Sequence, residues 1–324
     1  MAKKKKRPVP LVPPNHEMKS RKKARQVTSL FHKLTQQLDR AKSQNDEETI
    51  AKLEQQLDEM GGREEYQRAS QLSTKFHSTS RWVLKVLAQK GMTHGIVNES
   101  SSKESLKNKQ VKRPVDILEV GAINTELVEA SRKTKRVLKK KDTSSESGES
   151  QQYHDIPVHH INVKAIDLRS SHPDIEEQDF LKLKVQNAKR GSFDVIVCSM
   201  VLNCVTTPED RGTMLSLLYK QLRPGGYCFF TIPRLCLNQS KFMNRKLFHE
   251  LLIDGIGFKI DSEKESPKVA FWVLQRPMDT DVDGTKMTPW NKKWETTPII
   301  NRAAKFRNMF SVSLKESEIY MRKR

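Results

Sequence analysis

No stretch of this chain approaches the ~18–20 consecutive apolar residues that a membrane span requires, and hydrophobic residues make up only 35% of its 324. Nor does an apolar core follow Met1-Ala2-Lys3-Lys4-Lys5-Lys6-Arg7, so the N-terminus does not read as a secretory signal. Cysteine is scarce. Cys198, Cys204, Cys228 and Cys236 form no C-x-x-C pair and have no histidine cluster at zinc-ligand spacing beside them, so no metal is expected. Cys198 and Cys228 sit inside apolar runs, where a thiol behaves as a small hydrophobe. Reduced, structural cysteines of an intracellular protein are the expectation. Acidic residues are also in deficit. Asp and Glu number 39 against 59 Lys and Arg, a formal charge of +20. An excess of that size predicts a polyanionic partner, because each phosphate neutralised releases a condensed counterion. A nucleic acid is the partner it suits best.

The cations are not spread evenly. Residues 1–25 place Lys3 to Arg7 and then Lys19, Arg21, Lys22, Lys23 and Arg25 around the proline-rich Pro8-Val9-Pro10-Leu11-Val12-Pro13-Pro14, which predicts a disordered basic arm. Such clusters serve as nuclear import signals or RNA contacts, or they simply solvate the chain. Residues 26–98 read as a helical module. Leu30, Phe31, Leu34, Leu38 and Ala41 make one helical stripe. Asn45-Asp46-Glu47-Glu48 suggests a capping box opening a second helix that ends at Gly61-Gly62, the two forming a hairpin. A third helix from about Glu64 to Leu87 is broken near Ser78-Thr79-Ser80. This module docks a partner or RNA, or it buttresses the next domain. Residues 99–112 suit a linker. The tail, 277–324, mixes Trp290 and Trp294 with Arg302, Lys305 and Arg307, so its aromatics either stack on bases or cover the core.

Residues 113–276 alternate apolar runs with helical patterns, interrupted by a low-complexity, disordered insertion at 131–152. Phe193–Cys198 is continuously apolar, as a buried parallel strand is. Thr207-Pro208-Glu209-Asp210 caps a helix, and Ser240 starts another that closes at Gly255. Phe258–Ile260 and Val269–Leu274 suggest a terminal antiparallel pair. The pattern predicts an α/β fold with a doubly wound, mostly parallel sheet.

Such sheets bind ligands at the carboxyl ends of their strands. One end is Asp116-Ile117-Leu118-Glu119-Val120-Gly121, where Gly121 lets backbone approach a ligand, although no G-x-G-x-x-G follows. A later strand ends at Asp167, whose carboxylate either accepts ribose hydroxyls or serves as a cap or surface charge. It lies well beyond the roughly 20 residues usual from the glycine turn, and the 131–152 insertion accounts for the excess. Gln178-Asp179-Phe180-Leu181 suggests the end of a third strand. Asp179 then takes an adenine amino group with Phe180 beside the ring, or the two are a loop acid and a core phenylalanine.

The order of these elements, with Phe193-Asp194-Val195-Ile196-Val197 and Leu222-Arg223-Pro224-Gly225-Gly226 downstream, resembles the class I S-adenosylmethionine-dependent methyltransferases, Rossmann-like folds with a seven-stranded sheet. Leu118-Glu119-Val120-Gly121-Ala122, Ile166-Asp167-Leu168, Ser199-Met200-Val201-Leu202-Asn203-Cys204-Val205 and Leu235-Cys236-Leu237-Asn238-Gln239-Ser240 resemble, more narrowly, the fungal 25S ribosomal RNA adenine-N(1)-methyltransferases. That resemblance implies a nucleolar enzyme using S-adenosyl-L-methionine to methylate N1 of one adenine in large-subunit ribosomal RNA. The cofactor glycine and aspartate carry over to Gly121 and Asp167. Adenine N1 has a lone pair and no proton, so no general base is needed and no catalytic residue is assigned. Enzymes attacking exocyclic adenine nitrogens usually carry an N-P-P-Y-type loop where this chain has Ser199-Met200-Val201-Leu202-Asn203. Asn203, Pro233 and Arg234 are the candidate base-pocket residues, with a backbone-capping role as the alternative for Asn203. A monomer is expected. The alternatives are a small-molecule or protein methyltransferase and a non-catalytic cofactor sensor.

Overall fold

The computed structural model describes residues 20–74, 79–94, 96–97, 112–138, 153–170, 172–278 and 290–319. The 1–19 part of the basic arm, most of the 99–112 linker and residues 139–152 of the insertion lie outside the described residues. Among the described residues no helix is long and apolar enough to cross a membrane. The chain divides into two units, Met1–Ser78 and Thr79–Arg324.

The first unit is a helical hairpin with a jointed second arm. Helix α1 (Arg21–Ser43) packs its C-terminal half on α2 (Glu47–Glu59), where Leu34, Leu38 and Ala41 meet Leu53. Its N-terminal half meets α3 (Gly62–Thr74) through Ala24, Val27 and Ala69, with Phe31 stacked on Tyr66 at 4.5 Å. The joint is Gly61-Gly62, both left-handed. The cap of α2 is Asp46 rather than Asn45, which takes φ +53. The third capped position is therefore Thr49, whose N–H and hydroxyl both donate to the Asp46 carboxylate, and the expected Glu box does not form.

Helix α4 (Ser80–Gln89) belongs to the second unit, so the boundary expected at residue 98 lies at 78. The reason is packing: Val83 and Leu87 are fully buried among Ile117, Val195 and Phe229 of the sheet. Strands β1 (Ile96–Val97) and β2 (Lys112–Arg113) pair across the expected linker. Next come β3 (Val115–Val120) and α5 (Glu126–Arg132). Then β4 (Thr134–Leu138) and β5 (Tyr153–Pro157) pair antiparallel, so the first residues expected to be insertion are ordered ribbon. They are followed by β6 (Ile161–Asp167), β7 (Glu176–Glu177), β8 (Phe193–Ser199), α6 (Pro208–Gln221) and β9 (Leu222–Pro233). The chain continues through α7 (Leu235–Asn238), α8 (Arg245–Glu250), β10 (Lys259–Glu265) and β11 (Val269–Gln275).

Seven strands form one sheet in the order β10-β11-β9-β8-β3-β6-β7. The pairs β7–β6, β6–β3, β3–β8 and β8–β9 are parallel, while β11 runs antiparallel to both β9 and β10. This is the doubly wound, mostly parallel seven-stranded sheet that the sequence predicts. The third strand ends at Glu177, earlier than expected, because Phe180–Lys182 forms a single 3-10 turn. The helix expected from Ser240 starts at Arg245 under an Asn244 cap, and Ser240 instead accepts Phe242 and Met243 N–H groups in a turn. That helix passes into a π turn and ends at Gly257, φ +102, rather than Gly255. One sheet face packs on α4 and α5. The other carries the main core with α6, α8 and the C-terminal residues Trp294, Phe310, Val312 and Leu314.

The amino edge of the sheet is pinned by ion pairs. Asp194 is 5% exposed. Its carboxylate accepts Arg113 Nη1 and Nη2 at 2.5 and 2.7 Å, Arg223 Nη1 at 2.8 Å and the Asp116 N–H at 2.9 Å. Burial alone would raise its pKa, but these hydrogen bonds outweigh it and hold the carboxyl below its ordinary value. A depressed carboxyl contributes stability that is present above its unfolded pKa and lost as pH falls through the folded one. Asp194→Ala leaves two guanidinium groups without their shared anion and is expected to cost about 3–5 kcal/mol at pH 7, read from urea denaturation. The deficit against wild type should shrink as pH falls below about 4, where the unfolded chain takes up the proton first and the folded carboxyl only at lower pH. A loss that stays constant across that range would argue against the charge network.

Candidate active site

The register aligns the carboxyl ends of five strands on one edge. Val120 pairs with Ile166 and Cys198, Asp167 with Glu177, and Ser199 with Thr231. Between β3 and β8 the strand order reverses, since the chain leaves β3 toward β6 on one side and β8 toward β9 on the other. The loops diverge there, which opens the crevice where such sheets bind ligands.

Gly121 lies in that crevice with φ +71, and its N–H and that of Ala122 both donate to Ile166 O, at 2.9 and 3.0 Å. A Cβ built on Gly121 would stand 2.5 Å from Val201 Cγ2. The glycine is thus required by the chain's own packing, a reason separate from close approach to a ligand. The same contact sets the loop after β8 directly against the turn after β3. Asp167 closes β6, its Oδ1 accepting the Arg169 N–H at 3.0 Å and its carbonyl accepting Gln178 N–H at 2.8 Å. No helix follows for Asp167 to cap, and its carboxylate does more than carry a surface charge, since it orders its own turn.

Asp179 accepts the Leu181 N–H at 3.0 Å and lies 3.6 Å from Lys182 Nζ. Phe180 is 5% exposed and packs in the core with Leu118, Ile166 and Ile196. The 3-10 turn beginning there directs the ring inward, so Phe180 takes the core role rather than a place beside an adenine ring. Pro233 ends β9 opposite Val269. Arg234 donates Nη1 to Ser266 O at 3.3 Å, and its Nε lies 3.2 Å from Glu265 Oε2, which ties the guanidinium to the β10–β11 turn. It is not poised for a base.

Asn203 sits in the single turn Leu202–Cys204. Its amide donates to Cys204 Sγ at 3.4 Å, while its Oδ1 is buried and has no donor, so it does not cap the loop backbone through that oxygen. Met200, just before it, is left-handed at φ +61 and exposed. Such a conformation in a branchless but bulky residue stores strain of the kind that collects at functional sites.

Sequence reasoning gave Glu119 no role. It is 9% exposed, and its Oε2 has no hydrogen-bond partner. Burial, with Glu126 nearby as a second cause, pushes its pKa up to about 8. The available signal was an acid inside the apolar run Val115–Val120, one residue before the strand ends. Glu119 and Asn203 are therefore two buried acceptors lacking donors, one before and one after the Gly121–Val201 contact. Among the described residues no His, Cys, Asp or Glu group could hold a metal ion.

Residues 51–158 and 150–312 match a family model described as "25S rRNA (adenine(2142)-N(1))-methyltransferase, Bmt2". The "25S rRNA (adenine(2142)-N(1))-methyltransferase" of Saccharomyces cerevisiae is 34% identical over 114 residues, covering 35% of this chain and 33% of that protein. The "25S rRNA adenine-N(1) methyltransferase" of Schizosaccharomyces pombe is 32% identical over 158 residues, 46% of this chain and 52% of that one. The chain thus spans between a third and about half of the length of these curated relatives. A solved S-adenosylmethionine-dependent methyltransferase from Clostridium acetobutylicum matches at 12% identity and TM-score 0.40, covering 65% of this chain and 99% of that chain.

Glu119 generates a pH prediction. The unfolded chain ionises it from about 4.5, while the folded protein holds the proton to about 8. The unfolded state therefore binds fewer protons between those values, and stability falls as pH rises through them. Glu119→Gln keeps the shape and removes the titration. Its thermal midpoint should exceed that of wild type by more at pH 8 than at pH 5, whereas an equal gap at both pH values would count against a neutral, buried Glu119.

Proposed function

The chain belongs to the family of 25S rRNA (adenine(2142)-N(1))-methyltransferases, and from that premise we propose that it methylates N1 of an adenine in large-subunit ribosomal RNA, using S-adenosyl-L-methionine. The observation that carries this reading is the pair of donorless acceptors, Glu119 Oε2 and Asn203 Oδ1, on the edge where the strand order reverses.

The residues present suit the cofactor's polar groups. An ammonium is the complement that the Glu119 carboxyl lacks, and pairing with it favours the ionised form. The Asp167 carboxylate can accept ribose hydroxyls, as the strand-end acid of nucleotide-binding sheets does. The left-handed Gly121 turn brings backbone rather than a side chain to the crevice. When bound, S-adenosylmethionine supplies a methyl group on a sulfonium, ready for in-line displacement.

What remains for the protein is alignment, which supplies much of the rate of such a transfer. The cofactor would supply its methyl to the adenine N1 lone pair, with Glu119, Gly121 and Asp167 holding the cofactor and Asn203 the base. No proton is in the way at N1, so none of these residues has to remove one. Asn203 Oδ1 can accept the neighbouring exocyclic amino group and so orient the base with N1 toward the methyl. Ser199-Met200-Val201-Leu202-Asn203 in place of an N-P-P-Y-type loop supports N1 over the exocyclic nitrogen. On this reading the protein works in the nucleolus, which the basic clusters Lys3–Arg7 and Lys19–Arg25 suit as import signals.

The test is incubation with methyl-labelled cofactor and total rRNA lacking the modification, followed by primer extension, which stops at a base methylated on its pairing edge. One new stop in the large-subunit RNA is expected. Label appearing in protein or small molecules, with none in RNA, would overturn the reading. Asp167→Ala should weaken cofactor binding by about 1.5–3 kcal/mol, the range for hydrogen bonds to a charged group, measured by calorimetry. Asn203→Ala should lower turnover by more than it lowers cofactor affinity, and normal turnover would remove Asn203 from the base pocket.

A further inference from the structure

The C-terminal segment, residues 290–319, bonds the stretches of chain that follow β8 and β9 and carries three cations that form no ion pair among the described residues, although Lys305 Nζ lies 5.2 Å from the centre of the Phe306 ring. On the side of β8, Arg211 is 4% exposed. Its Nε and Nη2 donate to Val205 O and Thr206 O at 2.9 and 3.1 Å, and its Nη1 donates to Ser311 O at 2.8 Å. The Ser313 N–H reaches Pro208 O at 3.1 Å. On the side of β9, a few residues beyond Pro233, the Ile300 and Asn301 N–H groups donate to Lys241 O at 2.9 and 3.0 Å. The Lys241 N–H donates to Asn308 O at 2.9 Å, and Asn308 N–H to Gln239 O at 3.0 Å. Asn301 Nδ2 adds a bond to Ser240 O at 2.8 Å.

Between Asn301 and Asn308 the chain makes a loop fixed at both ends. It presents Arg302, Lys305 and Arg307, all exposed. None of the three is in an ion pair among the described residues, although most cations near the sheet, such as Arg113, Arg223, Arg234 and Arg245, are paired. Three like charges on a short anchored loop repel one another, and no acid among the described residues pairs with them. A polyanion is their complement. Around the loop, Ile299, Ile300 and Met309 are exposed apolar side chains, as are Leu235 after β9 and Met200 after β8. Anchoring matters because a loop already ordered loses less freedom on binding.

We infer that the Arg302–Arg307 loop holds the phosphate backbone of the single-stranded RNA that flanks the target adenine. The inference rests on the rRNA reading above. N1 lies on the pairing edge of adenine, so a base accepting a methyl there is unpaired and splayed from its neighbours. Contacts to phosphate fix the register of such a strand without choosing its sequence. A cationic loop anchored on Gln239–Lys241 after β9, in a segment that through Ser311 and Ser313 also bonds the residues following β8, is suited to that task.

The test uses the full chain and an RNA oligonucleotide with the target adenine in a loop, its affinity titrated against salt. Arg302→Ala, Lys305→Ala and Arg307→Ala combined should flatten the slope of log affinity on log salt by about 2, at roughly 0.7 for each single-strand phosphate contact. The double variant Arg302→Lys with Arg307→Lys keeps the charges and should keep the slope. Cofactor affinity and thermal midpoint should match wild type, since the three side chains touch neither the strand ends nor the core. An unchanged slope in the triple variant overturns the inference, as does a wild-type protein with no affinity for the RNA. The rRNA reading fails separately: a wild type that binds RNA with the expected slope, yet methylates no rRNA, would sink the activity and leave the loop as an RNA contact.

Discussion

Strand β3 has a parallel neighbour on each side, and the rest of the domain is arranged to satisfy it. Val115 and Ile117 are buried in one core and Leu118 and Val120 in the other. A strand buried on both faces needs helices over both faces, and parallel neighbours must be reached by crossovers rather than tight turns. The crossovers from β3 and from β8 leave in opposite directions. A crevice at their carboxyl ends is the geometric consequence, and Glu119, Gly121, Asp167 and Asn203 all stand along it.

The two edges of the sheet are opposites in their polar accounting. At the amino edge every oxygen of Asp194 finds a donor, from two arginines and a backbone N–H. At the carboxyl edge Glu119 Oε2 and Asn203 Oδ1 are buried without one, and Met200 adopts a left-handed backbone. Each unsatisfied buried group costs about 1–3 kcal/mol. Groups left in that state call for an explanation, and a ligand that supplies the donors is the one consistent with their position.

The C-terminal segment is part of this domain and not an appendage. A Cβ on Gly212 would stand 1.8 Å from Ser313 O, and one on Gly255 would stand 2.8 Å from Leu314 Cδ1. Backbone approach that close makes Gly212 obligatory, whereas at Gly255 the neighbour is the tip of the Leu314 side chain. Trp294 is buried, which gives it the core-covering role and not a base-stacking one. Trp294 and Phe310 hold the segment down from within the core, while Arg302, Lys305 and Arg307 are exposed.

Local signals in the sequence were enough for the main strands and helices and their order, though not for the β1–β2 and β4–β5 pairs or for where α8 begins. Apolar runs such as Phe193–Cys198, caps such as Thr207-Pro208, and the final antiparallel pair all depend on neighbours close in sequence, and each forms as its pattern implies. Gly121 and Asp167 were legible for the same reason, as strand-end residues whose backbone context is local. Phe180 and Arg234 were not, because a ring turned inward by one 3-10 turn, or a guanidinium held by the Glu265–Ser266 turn, depends on partners far along the chain. The helix-module boundary moved from 98 to 78 because α4 buries Val83 and Leu87 against distant strands. The sequence by itself determined the fold class and the charge, and its resemblance to a family pointed to the chemistry proposed. Only the tertiary structure decided which polar atoms are left without partners, as at Glu119 and Asn203, because satisfaction of a buried group is a property of everything packed around it.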